Sequence, residues 1–350
     1  MKEFIILAVV VFFSLLTYWL VEPFAHGQMH AHVESQNFVY NGTADIEEVE
    51  AHIVSLKEAK AEAEASDDEK TRNGVSRIVV DIEKAEARLE AKHTFWSDVK
   101  RISSVEANLS RGEAAYANCT GCHMEGMVMD VRLPMLDNAG SIYDKDYLIA
   151  LIKDPAMASN VDHKFTDGRE HPMSSIKYTV STDEDIASVV AYMQSIAVKP
   201  EEITPKMAYE NACGRCHATR YTKWTQLGEM PNFKHKKDAL RFEADVLDYQ
   251  DGVKAYMGKL PPDLSMYIRS RSEHFLTTFI ENPQSQLHGT AMPRTGVTPE
   301  AAEKVMDYLE FAGDPKAEMR NEIGKNVMIF MIFFVLFAYL WKRQVWKDLH

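Results

Sequence analysis

Cys119-Thr120-Gly121-Cys122-His123 and Cys213-Gly214-Arg215-Cys216-His217 follow one five-residue pattern, and together they use all four cysteines of this 350-residue chain. Two thiols two residues apart, followed at once by an imidazole, are what covalent attachment of haem c requires. The thiols bond to the haem vinyl groups and the imidazole reaches the iron. One CxxC also suits thiol redox chemistry or zinc, but neither use accounts for a histidine in the next position twice. Two disulfides would leave both histidines to accident. The pattern therefore predicts two covalently bound haem c groups and an electron carrier, with Cys119, Cys122 and His123 at one site and Cys213, Cys216 and His217 at the other.

Both ends of the chain are apolar. Phe4 to Val21 is 18 residues with only Ser14 and Thr17 as mild polar interruptions, a helix of about 27 Å, enough to cross a bilayer core. Val327 to Trp341 is a second run and ends in Lys342-Arg343. Trp19 and Trp341 stand where aromatic side chains favour the interface, and Lys342, Arg343 and Lys347 mark a cytoplasmic tail. A cleaved leader is the other reading of the first run, but Glu22-Pro23-Phe24-Ala25 carries no small-x-small cleavage signal, which favours a retained anchor. Two spans put the intervening chain on one side. That side is where haem c is attached, the periplasm of a bacterial inner membrane, with both termini cytoplasmic. His26, His30 and His32 have no cysteine or carboxylate cluster beside them and are not read as a metal site.

From Asp45 to Lys92, apolar residues recur at Ile46, Val49, Ile53 and Leu56, then at Val75, Ile78, Ile82, Ala85 and Leu89. Steps of three and four mark one helical stripe each. Asp67, Asp68, Asn73 and Gly74 separate the stripes, predicting two antiparallel helices, a short coiled-coil hairpin with Glu and Lys over its outer faces. Its seam is too short to stand alone and should pack on something; a solvated spacer is the plain alternative. The segment holds 14 acidic and 8 basic residues, much of the net charge of −13. No nucleic-acid partner is expected of so acidic a chain.

Residues 102–198 run in the order helix (Gly112 to Tyr116), attachment motif, loops, Glu170-His171-Pro172-Met173, then a final helix opened by Ser181-Thr182-Asp183-Glu184-Asp185. That order resembles class I cytochrome c. The resemblance implies a methionine ligand on the loop before the last helix, which is Met173; His163 and His171 remain rivals, and Met127, Met129 and Met135 follow the motif too closely.

Residues 199–320 carry more specific words. Tyr209-Glu210-Asn211-Ala212 leads into Cys213, Leu260-Pro261-Pro262-Asp263-Leu264-Ser265 precedes Arg269 and Arg271, and Ala291-Met292-Pro293 follows. Tyr308 to Pro315 then leads to the apolar run and the tail Lys342-Arg343-Gln344-Val345-Trp346-Lys347. Roughly residues 205–350 resemble cytochrome c1 of the cytochrome bc1 complex. The resemblance implies His217 and Met292 as axial ligands, with His288 as the rival to Met292, and Arg271 as partner of a haem propionate, a role that suits an always-charged guanidinium.

The expected architecture is mainly α: an anchor over 1–25, a helical hairpin over 26–101, two tandem cytochrome c-type haem domains over 102–198 and 199–320, and a transmembrane helix with its tail over 321–350. The resemblance implies a non-catalytic electron-transfer subunit of a quinol:cytochrome c reductase. Cytochrome b and Rieske iron–sulfur subunits would be its partners, and a soluble cytochrome c or terminal oxidase its acceptor. Acidity outside the hairpin would offer a docking face to a basic cytochrome c. A dihaem subunit of a cbb3-type oxidase is the nearest alternative and would not need the C-terminal span. A dihaem peroxidase would need an open iron position, against which two methionine ligands argue.

Overall fold

The computed structural model describes residues 2–28, 38–66, 68, 73–124, 132–165, 170–287 and 289–348. Met127, Met129, His30, His32 and His288 lie outside the described residues, as do the side chains of His26 and His163. The chain forms two units, residues 1–37 and 38–350. The first contains helix α1 (Lys2–Gln28), apolar and long enough to span a bilayer.

In the second unit, α2 (Thr43–Ala65) and α3 (Val75–Ser103) form the expected hairpin. Val49 and Ile53 meet Ala85 along the seam, flanked by Leu56 and Leu89. The hairpin is not a free spacer, because α3 runs on beyond Lys92. Phe95, Trp96, Val99 and Ile102 continue the stripe at helical spacing and enter the main core. Lys92, a lysine expected on the outer face, is buried together with Asp45. Asp45 is 2% and Lys92 0% exposed, and Asp45 pairs with both Lys92 and Arg294, itself 1% exposed. Burial works against the Asp45 charge, but Arg294 and Lys92 outweigh it and hold the carboxyl at about 2.

The first haem motif ends α4 (Leu109–Thr120), whose N-terminus is capped by the Asn108 side chain accepting from Arg111 N–H. Helix α5 (Lys145–Lys153) begins on Asp144, and α6 (Asp183–Ile196) on Thr182, the capping residue legible in the sequence. Helices α4 and α6 cross at Gly112, where an added Cβ would lie 2.1 Å from the Ser188 carbonyl oxygen. Only the missing side chain permits that approach.

The second motif follows α7 (Pro205–Ala212), and a two-residue hairpin joins β1 (Trp224–Thr225) to β2 (Gly228–Glu229). Beyond it lie α8 (Lys236–Met257), α9 (Glu273–Glu281), α10 (Pro299–Gly313) and α11 (Ala317–Val345). Helices α7 and α10 pack through Ala208 and a stack of Tyr209 on Tyr308, ring centroids 4.3 Å apart. Helix α11 carries the second apolar run, none of whose span is buried. Lys342 Nζ lies 5.7 Å from the Trp346 ring, one turn on.

The stretch after Met292 is woven into the region of the first CxxCH motif. Asp144 N–H donates to Gly296 O and Thr298 N–H to Ile142 O, both at 2.9 Å, framing a bridge between Tyr143 and Val297. Gly296 adopts φ +74° against the Tyr147 ring, where any side chain would collide. Ile142, Ile149, Val189, Tyr209, Val305 and Leu309 consequently share one core with the end of the hairpin.

Candidate functional site

The two attachment turns have the same local geometry. His123 N–H donates to Cys119 O at 2.9 Å and Cys122 N–H to the same oxygen at 3.1 Å. The matching bonds at His217 and Cys216, both to Cys213 O, are 2.9 and 3.0 Å. Each ring is oriented by a proline carbonyl: His123 Nδ1–H donates to Pro134 O and His217 Nδ1–H to Pro262 O, each at 2.8 Å. A carbonyl can only accept, so the proton sits on Nδ1 and Nε2 keeps its lone pair. Burial pushes both imidazoles below their ordinary values, and at His123 the positive charge of Arg215 acts in the same direction. Both rings are therefore neutral, the form that ligates iron.

Burial pushes the Cys119 thiol up to about 11 and the Cys213 thiol up to about 12. A redox-active or metal-capturing thiol needs the opposite shift. Among the described residues no three of the His, Cys, Asp and Glu side chains gather into a group that could hold a metal ion. The donor chemistry fits haem c at each turn: two thiols two residues apart for thioether bonds and one aimed imidazole.

The surroundings differ. Around the second turn three aromatic donors hold three backbone oxygens of the motif: Trp224 Nε1–H donates to Gly214 O at 2.9 Å, Tyr249 O–H to Arg215 O at 2.8 Å and Tyr209 O–H to His217 O at 2.9 Å. Gly214 leaves room for the indole, since a Cβ there would lie 2.8 Å from Trp224 Nε1. The described residues provide the first turn with no such donors, and Cys122 is exposed.

Met173 is half-buried against the main core, and its N–H donates to His171 Nδ1 at 3.1 Å. His171, the rival ligand, thus caps the short helix that carries Met173. Met292 is half-buried on a loop braced by Gln284, whose amide donates to Thr290 O at 2.7 Å and accepts from Gly289 N–H at 3.0 Å. Arg271 is exposed, its guanidinium 5.6 Å from the Phe275 ring, while Arg269 pairs with Asp314 at 2.7 Å.

Sequence reasoning missed the residues that connect the two turns. Arg132, two positions before the proline that holds His123, donates its N–H to Tyr249 Oη at 2.7 Å. Tyr249 in turn donates to Arg215 O, inside the second motif. The Arg132 guanidinium donates to Leu227 O at 3.1 Å and lies 5.8 Å from the Trp224 ring. Nothing in the local pattern marks these residues, because 117 positions separate Arg132 from Tyr249.

The cytochrome c family profile matches residues 109–197, which hold the first turn, Met173 and helix α6. The Cytochrome C1 family profile matches residues 293–349, from the residue after Met292 through the membrane helix to its tail. The chain is a cytochrome c1-like electron-transfer protein. Cytochrome c1 of Allochromatium vinosum is 21% identical over 199 residues, 41% of this chain and 82% of that protein. The ammonia monooxygenase gamma subunit of Nitrosomonas europaea is 25% identical over 136 residues, 28% of this chain and 58% of that protein, so the chain spans little more than half of this second relative. A solved hyperthermophilic respiratory complex III contains a chain 25% identical, with a TM-score of 0.32, covering 42% of this chain and 75% of that one. A cytochrome c domain implies covalently bound haem c, and the helices α1 and α11 are long and apolar enough to cross a membrane.

Proposed function

We propose that this chain is the membrane-anchored dihaem cytochrome of a quinol:cytochrome c reductase. The observation that carries the reading is the repeated turn: two CxxCH stretches, each with its imidazole Nδ1–H held 2.8 Å from a proline carbonyl. Haem c bound there supplies a one-electron ferrous/ferric couple. The protein aims Nε2 of His123 and His217, offers Met173 and Met292 as thioether ligands and Arg271 as a propionate partner, and braces the turns against each other through Arg132 and Tyr249.

Electrons come from a Rieske iron–sulfur protein to the site at Cys213, Cys216 and His217, whose region carries the c1-like words. They leave by the site at Cys119, Cys122 and His123 for soluble cytochrome c or a terminal oxidase. The exposure of Cys122 favours that direction, since an outlet must lie near the surface. Lys342, Arg343 and Lys347 support a cytoplasmic C-terminus and periplasmic haem regions. Cytochrome b and Rieske subunits complete the assembly.

A pyridine haemochrome assay on the purified full-length protein is expected to return two covalent haems per chain. A value of one removes the dihaem reading. Mild detergent extraction should recover cytochrome b and Rieske subunits with the chain; recovery with a haem–copper oxidase alone favours the oxidase-subunit alternative.

A further inference from the structure

The helical hairpin has no part in the attachment chemistry, yet it supplies most of a buried charge cluster. Arg294 Nη2 donates to Asp45 Oδ1 at 2.5 Å and to Asn282 Oδ1 at 3.0 Å, while its Nη1 reaches Asp45 Oδ2 at 3.3 Å. Asp45 Oδ2 also accepts from Trp96 Nε1–H at 3.0 Å and from Lys92 at 3.5 Å. Lys92 bonds on to Asn160 Oδ1 at 3.1 Å and lies 3.7 Å from Asp162, which Arg88 grips with two bonds of 2.8 and 2.9 Å. Asp45, Arg88, Lys92 and Trp96 come from the hairpin, Asn160 and Asp162 from the first haem region, and Asn282 and Arg294 from the second.

Such a cluster is a weak source of stability, because removing the charges from water offsets most of their attraction. What it enforces is geometry: a forked guanidinium accepts a carboxylate in one plane and one direction. Arg294 is held at its backbone too. Its N–H donates to Ser159 O at 2.9 Å, and its carbonyl accepts from Tyr147 O–H at 3.0 Å. Only Pro293, with its locked φ, separates Arg294 from Met292. Fixing Arg294 at side chain and backbone therefore fixes where the Met292 backbone starts.

We infer that the hairpin is a positioning clamp for the axial-ligand loop of the second haem, with Asp45 holding Arg294 and thereby keeping the Met292 thioether at bonding distance from the iron. Asp45, Lys92 and Arg294 are positioning residues; none touches the cofactor. The inference rests on the reading of Met292 as that ligand. Without the clamp the loop keeps its sequence but loses its register, and a thioether is a weak ligand that a small displacement detaches.

The test is Asp45→Asn in the full-length haem-loaded protein, which removes the charge at almost constant volume. The ferric charge-transfer band of Met-ligated haem and the two reduction midpoints are the readouts. The variant should keep both haems, lose about half of the band, since one of two thioethers detaches, and show one lowered midpoint with the other unchanged. Met292→His in parallel must remove the same half; if it leaves the band intact, the ligand reading fails first and the clamp with it. An Asp45→Asn protein with full band and both midpoints at their wild-type values, beside a Met292→His protein that has lost half, overturns the clamp alone. Equal loss at both haems overturns it as well, by showing general loosening. Should Asp45→Asn not accumulate, Arg294→Lys keeps the charge but not the fork and is judged by the same outcomes.

Discussion

The two CxxCH regions share one local turn and differ in almost everything packed around it. The bonds inside the turn agree to within 0.1 Å, and the imidazole-to-proline bond is 2.8 Å in both. Around the second turn, Tyr209, Trp224 and Tyr249 tie down three backbone oxygens, and His217 and Cys213 are buried. Around the first turn the helices do the work by close approach, with Gly112 of α4 set on the Ser188 backbone of α6. Five residues suffice to set the local turn, because its bonds span at most four positions. How rigid and dry the site becomes depends on side chains far away in sequence.

The largest expected effect separates the two sites by their ligands. Met292→His should lower the potential of the second site by part of the roughly 0.8 V over which axial ligation moves haem potentials, slowing quinol-driven reduction at both sites. Met173→His should leave the second site quickly reduced while transfer to the soluble acceptor falls. Stopped-flow spectra decide, and rapid reduction of the first site in the Met292 variant reverses the proposed order.

A smaller effect tests the two helix crossings. Gly112→Val pushes branched carbon into the Ser188 backbone and should cost about 3 kcal/mol, read as a lower unfolding midpoint on the first haem's absorbance. A midpoint within error of wild type would show that α4 and α6 can part freely. The second crossing has no equivalent weak point, since Ala208 and the Tyr209–Tyr308 stack already fill it.

The smallest effect is in pH dependence. Burial raises the half-buried Glu281 carboxyl, on α9 of the second region, to about 7. Its folded value lies above its unfolded one, so its contribution to stability is complete below about 4.5 and is lost as pH rises to about 7. Glu281→Gln should flatten that decline in chemical-denaturation midpoints measured between pH 5 and 7.5, and an unchanged slope refutes the assignment. Asp185 in the first region is shifted oppositely, lowered by its bond from Arg111. It favours folding above its unfolded value and cannot cause the decline.

Much was legible in the chain because it depends on neighbours along it. The cysteine–histidine words, the stripe from Val49 to Leu89, the Thr182 cap and the two terminal apolar runs all repeat over a few residues, and local geometry converts such spacing directly into helices and turns. The stripe also continued visibly through Phe95, Trp96, Val99 and Ile102, a signal sufficient to carry the second hairpin helix into the core. Lys92 read as a surface charge and nothing marked Asp45 as buried, since no local pattern distinguishes a solvated acid from one paired with an arginine 249 positions away. The same holds for Arg132 and Tyr249 between the two turns. By itself the sequence determined where the two cysteine–histidine motifs stand and which segments are helical. Only the tertiary structure decided that the hairpin, the two turns and the Met292 loop meet, because burial, charge pairing and close approach depend on separation in space rather than along the chain.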